Sequence, residues 1–269
     1  MIAEIVSTGI PPLNLLWLAF SVFLLGMAKG GFPIGNVALP LIILSWPASA
    51  EATRQAVAFM LPILCLMDIG AWLFYHRHIQ WKILLPLFPG MLAGIALGAI
   101  LFVFSPEQGV GLSDRLLRLI IGLLGVAFSF WHGVRHRVSG WNIRRLPERV
   151  NGILFGATAG LTSTLAHAAG PVMQIYLLPR NLPKMQFAAT IGAFFLVLNG
   201  IKLVPFALAG RFTEENISIA MLLFPLIPAG VACGYILVKR THQKHYTKLI
   251  QFVLFGASVL LIVRAVLDK

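Results

Sequence analysis

Ten apolar runs fill the chain almost end to end and leave no polar face for a soluble fold. They lie near 12–28, 34–46, 54–75, 82–104, 115–132, 150–165, 169–178, 185–209, 217–238 and 247–267. A bilayer core about 30 Å thick needs about 20 helical residues to cross it. The second and seventh runs are too short to span, and the first and sixth are marginal. Only 11% of the 269 residues are charged, against roughly 25% in soluble domains. The mean hydropathy of +0.87 points the same way. The sequence therefore predicts an all-α polytopic membrane protein without a soluble domain. No cleavable leader is expected, because residues 1–12 carry Glu4, Pro11 and Pro12 and lack a basic start.

The formal charge of +12 is a matter of topology. Arg135, Arg137, Arg144, Arg145 and Arg149 crowd residues 132–149, and Lys239, Arg240, Lys244 and Lys248 crowd 239–248. Arg77 with Lys82, and Arg180 with Lys184, mark two further basic loops, whereas the alternate loops hold Glu51, Glu107, Asp114, Glu214 and Glu215. The positive-inside rule places the basic loops, including 132–149, in the cytoplasm and both termini outside. No nucleic-acid motif, P-loop or CxxC is present, and no nucleic-acid partner is expected. Cys65 and Cys233 lie inside apolar runs and read as packing residues. His76 and His78 flank Arg77 without further ligands, so neither metal nor cofactor is expected. Ser163 and His167 lack an orienting acid in sequence, so an enzyme is not expected either.

The two halves echo each other. LFPGMLAGIALGAIL at 87–101 resembles LFPLIPAGVACGYIL at 223–237, GMAKG at 26–30 matches GATAG at 156–160, and GNVALPLIIL can be laid on GPVMQIYLLP. Residues 1–133 and 150–269 then form two transmembrane repeats joined by the basic linker 134–149. Each repeat has five segments, an odd number, so the second enters from the opposite side. This predicts an inverted-topology repeat, a plan common among secondary transporters. The short runs follow glycine-rich breaks, so 12–28/34–46 and 150–165/169–178 read as broken or re-entrant helical hairpins. Gly90/Gly94/Gly98 and Gly152/Gly156/Gly160 are small-residue faces for close helix approach. Packing within one chain is the favoured use of these faces; a homodimer is the other.

The breaks hold the candidate site. In the first, Lys29, Gly30, Gly31, Gly35 and Asn36 stand between apolar runs; in the second, Thr162, Ser163, Thr164, His167 and Gly170 do, followed by Gln174. A returning half-helix presents free N–H groups and about half a positive charge. Two such starts facing one cavity would bind an anion, with Lys29 as counter-charge. The competing use of Lys29 is to reach the membrane surface. Asp68 and Lys202 lie inside apolar runs, at matched positions of the two halves, with Asn199 one turn before Lys202. Intramembrane charges line pathways or pair with one another. Either the two form a structural ion pair, or Lys202 attracts the anion while Asp68, with His167, handles a proton.

GNVALPLIIL, HRHIQWKILLPLFPGMLAGIALGAIL, GPVMQIYLLPRNLPKMQFAAT, NGIKLVPFALAGRF and PLIPAGVACGYIL, in that order and spacing, resemble the TauE/SafE family of sulfite and organosulfur anion exporters. The resemblance runs over nearly the whole chain. It implies a multi-pass carrier in the bacterial inner membrane that exports a small anion such as sulfite or a sulfonate, coupled to protons or membrane potential. The alternative is a membrane assembly factor or scaffold that transports nothing.

Overall fold

The computed structural model describes residues 11–32, 52–103 and 147–242, with the single positions 42, 245, 248, 252, 259 and 263. The predicted runs 115–132 and 247–267, the run 34–46 apart from Ile42, and the linker up to Leu146 lie outside the described residues or touch them only at those single positions. The described chain is helical throughout, with no strand among the described residues.

Helix α1 is Pro12–Lys29. Its leading proline costs no hydrogen bond, because a first-turn N–H has no intrahelical partner. It stops where Gly31 takes φ +97°, and Phe32 N donates back to Met27 O at 3.1 Å. Only glycine adopts that conformation without strain. Helix α2 is Ala52–Tyr75, with Pro62 inside it. The predicted run 82–104 is a chain of short elements: α3 (Trp81–Leu84), a 3-10 turn, α4 (Phe88–Gly98) and a π-helical turn over Ala99–Val103. Pro86 and Pro89 explain the segmentation, since each lacks the N–H that the helix ladder needs.

Helix α5 is Glu148–Ala166, with its acid in the first turn where the helix dipole favours one. Helix α6 (Ala169–Leu177) turns back from it, beginning two residues before the expected Pro171. Helix α7 is Lys184–Leu208, the longest described. The predicted run 217–238 is two helices, α8 (Glu214–Leu223) and α9 (Leu226–Arg240), bent by 51° at Phe224–Pro225. Among the described residues, four helices are long and apolar enough to cross a bilayer, five with that bent pair. Leu16, Phe20, Leu73, Ile100, Leu208 and Met221 are exposed along them, as a lipid solvent requires. This is a multi-pass membrane protein.

Three helix pairs make the frame: α1 on α9, α4 on α5, and α2 on α7. Glycines set the first two. A Cβ on Gly90 or Gly94 would overlap the carbonyl oxygens of Ile153 or Ala157, and one on Gly156 or Gly160 those of Leu87 or Met91. The two ladders therefore grip each other within one chain. Gly30, Gly230 and Gly234 do the same between α1 and α9. We expect Gly94→Ala to destabilise the protein by about 1–3 kcal/mol through overpacking. Gly200→Ala, where an added Cβ meets nothing within 4 Å, should leave the melting temperature unchanged or raise it. Thermal unfolding of both variants in one detergent checks the contrast.

Polar contacts gather the basic loops at one end of the bundle. Glu148 and Arg180 approach to 3.6 Å, Lys184 Nζ donates to the carbonyls of Lys239 and Thr241, and Gln80 N donates to Thr190 Oγ1 at 3.1 Å. Loops 76–80, 147–149, 180–184 and 239–241 thus gather at one end. At the other, Arg211 donates twice to Val103 O, at 3.1 and 2.9 Å, beside the cluster of Val57, Leu61, Leu165 and Phe206.

Candidate functional site

Two helices, α2 and α7, cross the middle of the bundle antiparallel, and they carry half of the buried polar side chains among the described residues. Helix α7 presents Phe195, Asn199 and Lys202 at spacings of four and three, which puts them on one face. Helix α2 presents Asp68. Asp68, Asn199 and Lys202 are each at most 1% exposed.

Lys29, the last residue of α1, turns inward. Its Nζ lies 2.7 Å from Asp68 Oδ1, as an ion pair outside hydrogen-bond geometry, and 4.2 Å from the centre of the Phe195 ring. Reaching the membrane surface is therefore not its role in this conformation. Asn199 Nδ2 donates to the other carboxylate oxygen, Asp68 Oδ2, at 2.7 Å. Asp68 thus has a neighbour on each oxygen, and one of them is a full positive charge.

Asp68 and Lys202 do not form the structural pair that their matched positions suggest. Lys202 turns to the end of α5 instead. Its Nζ lies 2.9 Å from Ser163 O, 2.9 Å from Ser163 Oγ and 2.8 Å from His167 Nδ1. His167 Nε2 in turn sits 2.8 Å from Val57 O on α2. A carbonyl only accepts, so Nε2 carries the hydrogen. His167 also ends α5: it adopts φ +49°, and its N donates to Ser163 O at 2.9 Å. A left-handed histidine costs on the order of 1 kcal/mol or more. Contacts at both ring nitrogens hold it there.

Two buried ammonium positions thus surround a single carboxylate. Lys29 is balanced by Asp68, and among the described residues Lys202 has only neutral partners. An intramembrane charge without a counter-charge is costly, and such residues mark ion or substrate paths.

The remaining predicted residues divide. Ser163, His167, Asn199, Lys202, Asp68 and Lys29 converge. The Thr162 and Thr164 hydroxyls bond back to their own helix, at Thr158 O and Gly160 O, both at 2.8 Å. Gly30 serves close packing against α9, and Gly31 ends α1 beside Tyr75 and Ala188. Gly170 lies in the first turn of α6, and Gln174 on the same helix keeps its Oε1 buried without a hydrogen-bond partner. Gly35 and Asn36 lie outside the described residues. The described ends of the two breaks, at Gly31 and at His167, lie far apart along α2. Gly31 is level with Tyr75 and His167 with Val57, 18 residues apart on α2, or about 27 Å at 1.5 Å per residue. The side chains converge rather than the turns, because Lys29 reaches inward from one end and His167 from the other. Sequence reasoning missed Phe195, Tyr75, whose hydroxyl donates to Gly30 O at 2.6 Å, and the Val57 carbonyl. Phe195 was detectable from its helical spacing to Asn199; a backbone acceptor leaves no sequence signal.

No curated protein and no solved structure matches the chain. One family model, described as Sulfite exporter TauE/SafE, matches residues 15–261. That match takes in nearly all of the described bundle and every member of the buried charge cluster, and the chain belongs to the TauE/SafE sulfite exporter family.

Proposed function

We propose that the protein is a secondary carrier of a small organosulfur or organic anion, sulfite or a sulfonate, across the bacterial inner membrane by alternating access. The observation that carries this reading is Lys202, fully buried with neutral partners only. In this reading Lys29 is matched to Asp68, and the ammonium of Lys202 takes the anion. Ser163 and His167 are the neutral groups that the anion displaces or joins. The Gln174 carbonyl oxygen is buried and unpartnered, and its amide supplies a further donor if it turns toward the anion.

An inverted repeat is supported by the way helices exchange partners. With 26–30 matched to 156–160, α1 corresponds to α5, and α1 packs on α9 as α5 packs on α4. Gly230 approaches Phe23 O and Gly234 approaches Met27 O; Gly90 approaches Ile153 O and Gly94 approaches Ala157 O. Those contacts align Gly90 with Gly230 and Gly94 with Gly234, one helical turn from the register that the LFP motifs suggest. The α2–α7 pair lies on the pseudo-axis. Such a plan gives two conformations of similar energy, which alternating access needs.

The shared end of the basic loops supports the orientation with 132–149 in the cytoplasm and both termini outside. A cysteine at position 140, in a background lacking Cys65 and Cys233, should resist an impermeant thiol reagent in whole cells and react after permeabilisation. Reaction in intact cells would reverse the orientation. The function itself is tested by thermal shift of the purified protein against sulfite, methanesulfonate, sulfoacetate, taurine and simple carboxylates. A carrier is stabilised by at least one sulfur oxyanion in a saturable manner. A scaffold is stabilised by none.

A further inference from the structure

We propose that Lys202 alternates between ammonium and neutral amine during the cycle, so that one proton travels with each anion. This rests on the anion-carrier reading above and adds the group that carries the proton. Three observations lead to it.

The first is charge balance. The carboxylate of Asp68 is matched by Lys29 at 2.7 Å. The described groups around Lys202 are Ser163 and His167 from α5, and Cys65 and Asp68 from α2, with Lys29 from α1 nearby. Residues 88–103 contain no titratable group, and α6 offers only Tyr176, which is bonded to Ile83 O. Among the described residues, an empty site with Lys202 charged therefore carries one uncompensated positive charge in low dielectric. A monoanion or the loss of a proton removes it.

The second is the set of partners. Ser163 O accepts only. His167 Nδ1 accepts, because Nε2 keeps its hydrogen on Val57 O. The Ser163 hydroxyl can accept or donate. As an ammonium, Nζ donates to all three. As a neutral amine, it donates to Ser163 O and Nδ1, and its lone pair accepts the Ser163 hydroxyl hydrogen. Both protonation states thus satisfy every partner at Nζ without moving a heavy atom. A carboxylate in place of that hydroxyl would have fixed the lysine as charged.

The third is an exit. Nζ touches Nδ1 at 2.8 Å, and Nε2 touches α2 at Val57 O, near the end of the bundle where Arg211 meets Val103. When the anion leaves, Nζ gives up one proton to water that enters the emptied site from that end, and His167 keeps its hydrogen on Nε2. The balance is one proton and one monoanion in the same direction, with no net charge moved.

The test uses the full-length protein in proteoliposomes, with methanesulfonate and sulfite as probes. Methanesulfonate stays ionised near neutral pH, so any proton moving with it belongs to the protein. In wild type, methanesulfonate efflux should alkalinise a pyranine-loaded lumen by one proton per anion, and a potassium–valinomycin potential of either sign should leave the flux unchanged. In Lys202→Arg the guanidinium cannot deprotonate, so the empty carrier is trapped as a charged form. The ratio of net efflux to anion exchange should then fall at least tenfold. Efflux without proton movement and driven by voltage would overturn the proposal. So would net and exchange rates that fall in proportion in Lys202→Arg. If wild type exchanges neither probe, the anion-carrier reading fails and not the proton assignment alone.

Discussion

Asp68→Asn should cost the folded protein about 3–5 kcal/mol, the range for removing one member of a buried ion pair. The variant leaves Lys29 positive, with its side chain 10% exposed and the Phe195 ring beside it. Lys29 then becomes a second ammonium without a counter-charge in the same interior as Lys202. Asn199 also loses its charged acceptor at 2.7 Å. Neutralising both partners, as Lys29→Met with Asp68→Asn, should recover most of the loss, because a buried pair contributes far less than the cost of breaking it. Unfolding in detergent measures all three proteins. Wild-type stability in Asp68→Asn alone would mean that Lys29 does not need the carboxylate, and the charge balance drawn here would be wrong.

Lys202→Met should weaken anion affinity by roughly tenfold to a hundredfold. A hydrogen bond to a charged group contributes about 1.5–3 kcal/mol, and each 1.4 kcal/mol is a decade of affinity. Methionine keeps an unbranched apolar chain of similar length, so the cavity is little changed. It leaves no buried charge unmatched among the described residues, so stability should hold. Lower affinity with intact stability separates a ligand role from a structural one. The Lys29→Met/Asp68→Asn protein is the control: it removes an ammonium of the same cluster without changing the net charge, and its affinity should stay within a few-fold of wild type. Titration calorimetry on the folded variants, with whichever sulfur oxyanion stabilises wild type, reads both. Equal losses in Lys202→Met and in the control would move the anion from Lys202 to Lys29.

Much of the architecture was legible in sequence because it depends on composition and spacing. Continuous apolar stretches gave α1, α2, α5 and α7 within a few residues, and the glycine ladders pointed to α4 and α5 as close-packed helices. The breaks inside 82–104 and 217–238 were less visible. Their prolines were present, but a run of apolar residues hides where a helix bends. The site was partly legible: charged residues inside apolar runs are few, and Lys29, Asp68 and Lys202 stand out. Which charge meets which was not legible. Asp68 and Lys202 occupy matched positions, yet a lysine side chain reaches about a turn of helix, and Lys29 arrives at Asp68 from the end of another helix. Depth decided it. Helix α1 runs 18 residues, ends beside Tyr75 rather than at mid-membrane, and sends its last side chain back toward the centre.

Labelled sulfite and methanesulfonate counterflow in proteoliposomes, compared between wild type and Lys202→Met, addresses the central claim most directly. The account predicts saturable exchange of at least one of the two anions in wild type and a loss of at least tenfold in the variant at subsaturating concentration. Exchange at the wild-type rate in Lys202→Met would contradict it.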